Sequence, residues 1–179
     1  MAEAMQTKAG RGYAWGPLTA FGLVVAGLTF VLDQAVKFWL LSALAPGGEP
    51  RIVVTPFLEF VLTWNTGISY GLFPQTGPIG PWALFAFKIA AVAFLWVWLA
   101  RVAQRLTALS LGLVIGGAMG NAVDRLHWPG VLDFVFLHLE TASFAFRWYV
   151  FNLADVAICA GVIGLLYESL RHTKAAKVP

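Results

Sequence analysis

The chain has 179 residues, of which 59% are hydrophobic and 12% charged. Soluble domains carry ~45–50% and ~25% on a similar count. With a mean hydropathy of +0.75, so few charges do not cover a soluble surface, and the chain reads as one integral membrane domain over residues 1–179. The net charge of +3 comes from scattered Lys and Arg, so no nucleic-acid groove is expected. A single cysteine, Cys159, permits neither an internal disulfide nor a cysteine zinc cluster. His127, His138 and His172 do not form a His-Glu-x-x-His pattern, so no metal and no cofactor is expected.

A membrane span needs about 20 mostly apolar residues. Four segments qualify, at about residues 17–41, 81–100, 106–126 and 148–170. They are apolar on nearly all sides, whereas membrane strands alternate over about ten positions. They are therefore predicted to be helices, which makes this an all-α membrane protein with four transmembrane helices. The first apolar run is too long for a cleaved signal core of about 7–15 residues. It also carries Asp33 and Lys37.

Basic residues orient the bundle. Lys8 and Arg11 precede the first span, Arg101 and Arg105 separate the second and third, and Arg171, Lys174 and Lys177 follow the fourth. Arg51 and Arg147 alone fall on the other side. The positive-inside rule then puts both termini in the cytoplasm, with about residues 42–80 and 127–147 outside. Within the first outer segment, Arg51 to Leu62 is rich in β-branched and aromatic residues. Short strands are expected there, with Pro56 at an edge or turn, as a small β-rich element on the outer membrane surface. His138 and Glu140 are assigned to a solvated outer loop.

In so apolar a chain the remaining carboxylates are informative. Asp33, Asp124, Asp133, Asp155 and Glu168 lie in or beside a span, where each costs about 2.5–3.5 kcal/mol to insert and usually faces the protein interior. Asp33 and Lys37 are four apart and can pair; a structural ion pair is favoured there over direct chemistry. Asn121, Asp124 and Arg125 share one face after the small-residue run Gly116-Gly117-Ala118-Met119-Gly120. That face is either helix glue or the wall of a water-lined pocket. Asp124 is expected to be held ionised by Arg125 and other polar neighbours.

Asn152 and Asp155 share a face at the start of the fourth helix, and Asp133 sits in an apolar frame, Val131-Leu132-Asp133-Phe134-Val135-Phe136. If the fold joins Asp133 and Asp155, they share one proton. One can then activate water while the other protonates a leaving group. Cys159 reads as a small packing residue. Ser69 has no neighbouring base. Lys88 either snorkels outward or pairs with a carboxylate.

Five blocks in order resemble the lipoprotein signal peptidases (signal peptidase II) of bacteria. They are Asp33-Gln34-Ala35-Val36-Lys37, Asn65-Thr66-Gly67, the run from Gly116 to Arg125, Val131-Leu132-Asp133-Phe134, and Phe151-Asn152-Leu153-Ala154-Asp155. The resemblance implies a four-helix aspartyl endopeptidase of the inner membrane that cuts just before a diacylglyceryl-modified cysteine. It implies Asp133 and Asp155 as the catalytic pair. Asn65, Gly67, Asn121, Asp124, Arg125 and Asn152 would line or orient the site, and Asp33 and Lys37 would support it. Its partners would be lipid-modified prolipoproteins and membrane lipid, with no obligate protein partner.

The chain departs from the family pattern at Ile68-Ser69-Tyr70, where Ala-Ala-Phe is usual, and in a longer stretch from Asp133 to Asp155. The alternatives are a small proton- or ion-coupled transporter and a structural membrane subunit. A transporter wants its ionisable groups near the midplane. Here Asp133, Asp155, Asp124 and Asn65 gather at the outer boundary.

Overall fold

In the computed structural model, which describes residues 14–44, 51–67 and 80–175, the first helix, α1 (Thr19–Leu44), turns a small and polar face inward. Its buried residues are Thr19, Gly22, Ala26, Thr29, Asp33, Lys37, Leu40 and Leu44. They recur in steps of three and four, the spacing of one helix face. Val24, Leu28, Val31, Leu32 and Phe38 point outward and are exposed. Large apolar side chains outside and polar ones inside is the pattern a lipid solvent selects.

The chain continues through strands β1 (Arg51–Thr55) and β2 (Leu58–Asn65), helices α2 (Gly80–Leu99) and α3 (Arg105–His127), strands β3 (Val131–Glu140) and β4 (Ala145–Arg147), and helix α4 (Leu153–Ala175). Three helical stretches are long and apolar enough to cross a membrane: Thr19–Leu44, Arg105–His127 and Leu153–Arg171. The described apolar part of α2, Phe85–Leu99, is shorter.

Helix α3 packs against the other three helices, and its glycines allow the close approach. A Cβ on Gly117 would fall 2.6 Å from the Ala154 carbonyl oxygen of α4, and one on Gly116 would collide with the Ala26 carbonyl of α1. Backbones this near gain dispersion contact where no hydrophobic effect drives helices together. Leu99, Ala108, Leu111 and Ile115 fill the layer below.

The four strands form one antiparallel sheet in the order β1-β2-β3-β4. The β1–β2 turn falls at Pro56 and Phe57, as the sequence predicts. The sheet corrects the sequence reading elsewhere. The fold is mostly helical, and the small β-rich element expected around residues 51–62 is enlarged by β3 and β4. His138 and Glu140 end the strand β3 rather than lying in a solvated loop, because the second edge of β2 needs hydrogen-bond partners and this β-branched, aromatic run supplies them. His138 lies on β3 with its Nε2 3.3 Å from Glu59 Oε1. Glu140 accepts two bonds from Arg147, at 2.6 and 2.8 Å, which hold its carboxyl below the usual range.

Helix α4 begins at Leu153, five residues after the predicted start of the fourth span. The residues before it are extended. The Phe151 carbonyl accepts from Phe134 N and Val135 N at 3.0 and 2.7 Å, and Phe151 N returns a bond to the Val135 carbonyl at 3.1 Å. This bridge lashes the entry of α4 to the strand that carries Asp133.

Candidate active site

Register on the sheet places the first contact. Asp133 of β3 stands opposite Thr63 of β2, and Asn65 is two residues further along the same face. Diagonal neighbours of this kind are within reach of long side chains. Asn65 Nδ2 donates to Asp133 Oδ2 at 3.1 Å, while Asn65 Oδ1 accepts the Gly67 amide at 3.0 Å.

The Phe151 bridge then delivers Asn152. Its Nδ2 donates to Asp133 Oδ1 at 2.6 Å and to Asn121 Oδ1 at 3.1 Å. Asn152 is also the N-cap of α4. Its Oδ1 accepts the Asp155 amide at 2.9 Å, and Asp155 Oδ2 accepts the Asn152 amide at 3.2 Å. This reciprocal pair is a capping box built from Asn and Asp. The spacing Asn-x-x-Asp ahead of an apolar run is a sequence signal for it, which the shared-face reading overlooked. The second oxygen of Asp155, Oδ1, accepts from Asn121 Nδ2 at 2.9 Å.

Asp133 and Asp155 therefore meet through Asn152, and both line one cavity of about 240 Å³. Asn65, Asn121, Arg125 and Lys88 line it with them. Asp133 is 3% exposed. Burial pushes its carboxyl up from 3.8 to about 6, and the nearby charge of Asp155 adds to the rise. The bonds from Asn65 and Asn152 and the charge of Lys37 oppose it. A second hollow, of about 290 Å³, opens on the sheet side of Asp133 between Trp64, Thr66 and Tyr149.

Behind the cavity lies a buried ionic cluster. Lys37 Nζ sits 2.8 Å from Asp33 Oδ2 and 2.7 Å from Asp124 Oδ2, and donates to Asn121 Oδ1 at 3.3 Å. All three donors of the ammonium are used. The two carboxylates also hold the backbone. Asp33 Oδ1 accepts the Ala154 amide in the first turn of α4 at 3.0 Å, and Asp124 Oδ2 accepts the Leu132 amide, next to Asp133, at 3.1 Å. Gln34 closes the cluster with a 2.9 Å bond to Asp124 Oδ1. A Cβ on Gly120 would lie 2.5 Å from Asp33 Oδ2, so only glycine leaves room for that carboxylate.

Asp124 makes no direct ion pair with Arg125, which acts on it by charge at longer range. The partners of Asp124 are Lys37 and Gln34. Arg125 lies one residue further round α3 and spans to the Gly67 carbonyl at 2.6 Å and the Asn121 carbonyl at 3.1 Å. Cys159 is exposed rather than packed, and lines the cavity one turn beyond Asp155. Lys88, left out of the predicted site, also lines it. The only sequence signal for Lys88 was its charge in an apolar helix. Ile68-Ser69-Tyr70 lies outside the described residues.

The profile described as Signal peptidase (SPase) II matches residues 25–171. A lipoprotein signal peptidase of Nitrobacter hamburgensis is 51% identical over 158 residues, covering 88% of this chain and 96% of that protein. One from Methylorubrum extorquens is 49% identical over 161 residues, covering 89% and 92%. A bacterial membrane enzyme solved by the in meso method at 2.3 Å has the same fold, with a TM-score of 0.74 at 24% identity over 89% of this chain and 93% of that one. The Nitrobacter and Methylorubrum relatives are lipoprotein signal peptidases, and nothing among them supports a transporter. The match begins within α1 before Asp33, ends within α4 beyond Asp155, and takes in every residue of the cluster and cavity described above; the chain belongs to the signal peptidase II family.

Proposed function

We propose that Asp133 and Asp155 are the catalytic pair with which this chain removes signal peptides from prolipoproteins, cutting before a diacylglyceryl-modified cysteine. The observation that carries the reading is that both carboxyl groups face one cavity and accept from the same residue, Asp133 from the side-chain amide of Asn152 and Asp155 from its backbone amide.

Two carboxylates that face one cavity and act on each other's charge share one proton, and the more buried Asp133 is its better host. A water between them gives up a proton to the ionised carboxylate as its oxygen attacks the scissile carbonyl. The protonated carboxyl then delivers its proton to the departing nitrogen as the C–N bond breaks. Asn65, Asn121 and Asn152 supply amide donors at fixed positions, so neither carboxyl group must reorganise during the reaction. Arg125, drawn onto the Gly67 carbonyl, pins the end of β2 over the cavity. Asp33, Lys37 and Asp124 act from behind by fixing the backbone at Ala154 and Leu132.

The whole chain is read as one membrane domain with four spans, α2 included, and with both termini cytoplasmic. Arg101 and Arg105 lie at the α2–α3 turn, at the opposite end of α3 from the sheet, while Arg51 and Arg147 belong to the sheet and are paired with Glu59 and Glu140. That distribution supports placing the sheet and both aspartates near the outer face. The substrate then arrives as a membrane-embedded signal helix, and its acyl chains contribute about 0.8 kcal/mol for each buried CH₂. The purified protein in lipid vesicles should cut a diacylglyceryl-modified prolipoprotein and leave the same precursor without its lipid intact. Equal rates on the two would remove lipid recognition from the reading.

A further inference from the structure

Among the described residues, Lys88 is the cation of the cavity that the fold itself does not employ. It lies on α2 between the exposed Phe87 and Ile89, where a lysine costs about 2.5–3.5 kcal/mol to insert. The other two cations of the site are committed. Lys37 holds Asp33 and Asp124, and Arg125 holds the carbonyls of Gly67 and Asn121. Among the described residues, no ion pair within 4 Å includes Lys88. Its side chain nevertheless lines the cavity with Asp133 and Asp155. The charges that act on it are Arg125 and Asp124 of α3, Asp155 of α4 and Lys37 of α1. Asp133 of β3 is on the same cavity wall.

We propose that Lys88 is a positioning residue of the reaction: across the cavity, its ammonium favours the singly ionised Asp133–Asp155 pair over the doubly protonated one and so sets the pH window of cleavage. The inference rests on the reading of those two aspartates as the catalytic pair. A cation favours each ionised form of the pair, so its presence draws both limbs of the rate profile to lower pH. At an effective dielectric near 20, a unit charge acting across several ångströms is worth about one pH unit or more. The arrangement also explains why a lysine persists in an apolar helix without a direct partner.

The experiment compares kcat/KM against pH for the full chain and its Lys88→Met and Lys88→Arg variants, in vesicles, on a lipid-modified prolipoprotein. Lys88→Met should move both limbs upward by about one pH unit, cutting the rate on the acid limb roughly tenfold. Lys88→Arg keeps the charge and should keep the wild-type limbs. Limbs that stay in place in Lys88→Met, whatever the absolute rate, overturn the proposal, as does an equal shift in Lys88→Arg. Lys88→Gln gives the same test should the Met variant fail to insert. Asp133→Asn and Asp155→Asn are assayed in parallel. Near-wild-type cleavage by either would bring down the pair itself, a result separate from any movement of the limbs.

Discussion

Asn152 donates its side-chain amide to Asp133 at 2.6 Å, and this bond joins a strand of the sheet to the N-cap of α4. The same side chain caps that helix through Asp155, so local helix chemistry and the alignment of the two carboxyl groups depend on one residue. Asn152→Asp separates the two roles. Aspartate caps as well as asparagine, but its carboxylate cannot donate to Asp133 and adds a third carboxyl group to the site. The variant should lose about 10²-fold or more in kcat, and the buried carboxyl it sets against Asp133 should lower the thermal midpoint as well, whereas Asn152→Ala loses the donor and about 1 kcal/mol of capping without adding charge. Unfolding curves and cleavage rates measured together decide this.

Asp133→Asn and Asp155→Asn should each lower cleavage by about 10²- to 10⁴-fold, the range for loss of a general acid or base. Both proteins should still insert and fold, since asparagine occupies the same volume. Measurable wild-type-like turnover in Asp133→Asn would mean that the wrong aspartate has been chosen.

Stability should fall as pH rises through the titration of Asp133. Its carboxyl in the fold sits at about 6, above the ordinary 3.8. The folded state therefore binds the proton more tightly than the unfolded state. The resulting stabilisation is complete below about 3.8 and is lost as pH rises to about 6. The thermal midpoint in detergent should drop by a few degrees, about 2–4 °C for each kcal/mol, between those values. Asp133→Asn should flatten that drop. An unchanged slope in the variant would show that other groups cause it.

Lys37→Met should damage the fold before it damages the chemistry. It leaves Asp33 and Asp124, 0% and 2% exposed, facing one another without a cation. Breaking a buried pair in this way costs about 3–5 kcal/mol. The triple change Lys37→Met, Asp33→Asn and Asp124→Asn should recover part of the folded yield, because no buried charge is left behind. Yield and thermal midpoint report the effect. Equal yields of Lys37→Met and the wild type would contradict the role given to the cluster.

The sequence by itself determined the membrane class, the helical segments and the order of the polar blocks. Hydropathy, helix periodicity and motif spacing are local quantities, and a run of about 20 apolar residues has one stable answer in a bilayer. Asp33–Lys37 was legible for the same reason, since residues four apart meet on any helix. Tertiary structure alone decided which polar groups meet between elements. Asp124 and Arg125 are neighbours in sequence yet project to different sides of α3, and Lys37, 87 positions away, takes the carboxylate. Whether Val131–Glu140 became a strand depended on the open edge of β2, which no local pattern encodes. The meeting of Asp133 with Asp155 depended in turn on that strand and on the Phe151 bridge. A catalytic constellation joins residues distant in sequence, so its parts can be recognised along the chain, but its geometry exists only once the sheet has closed against the helices.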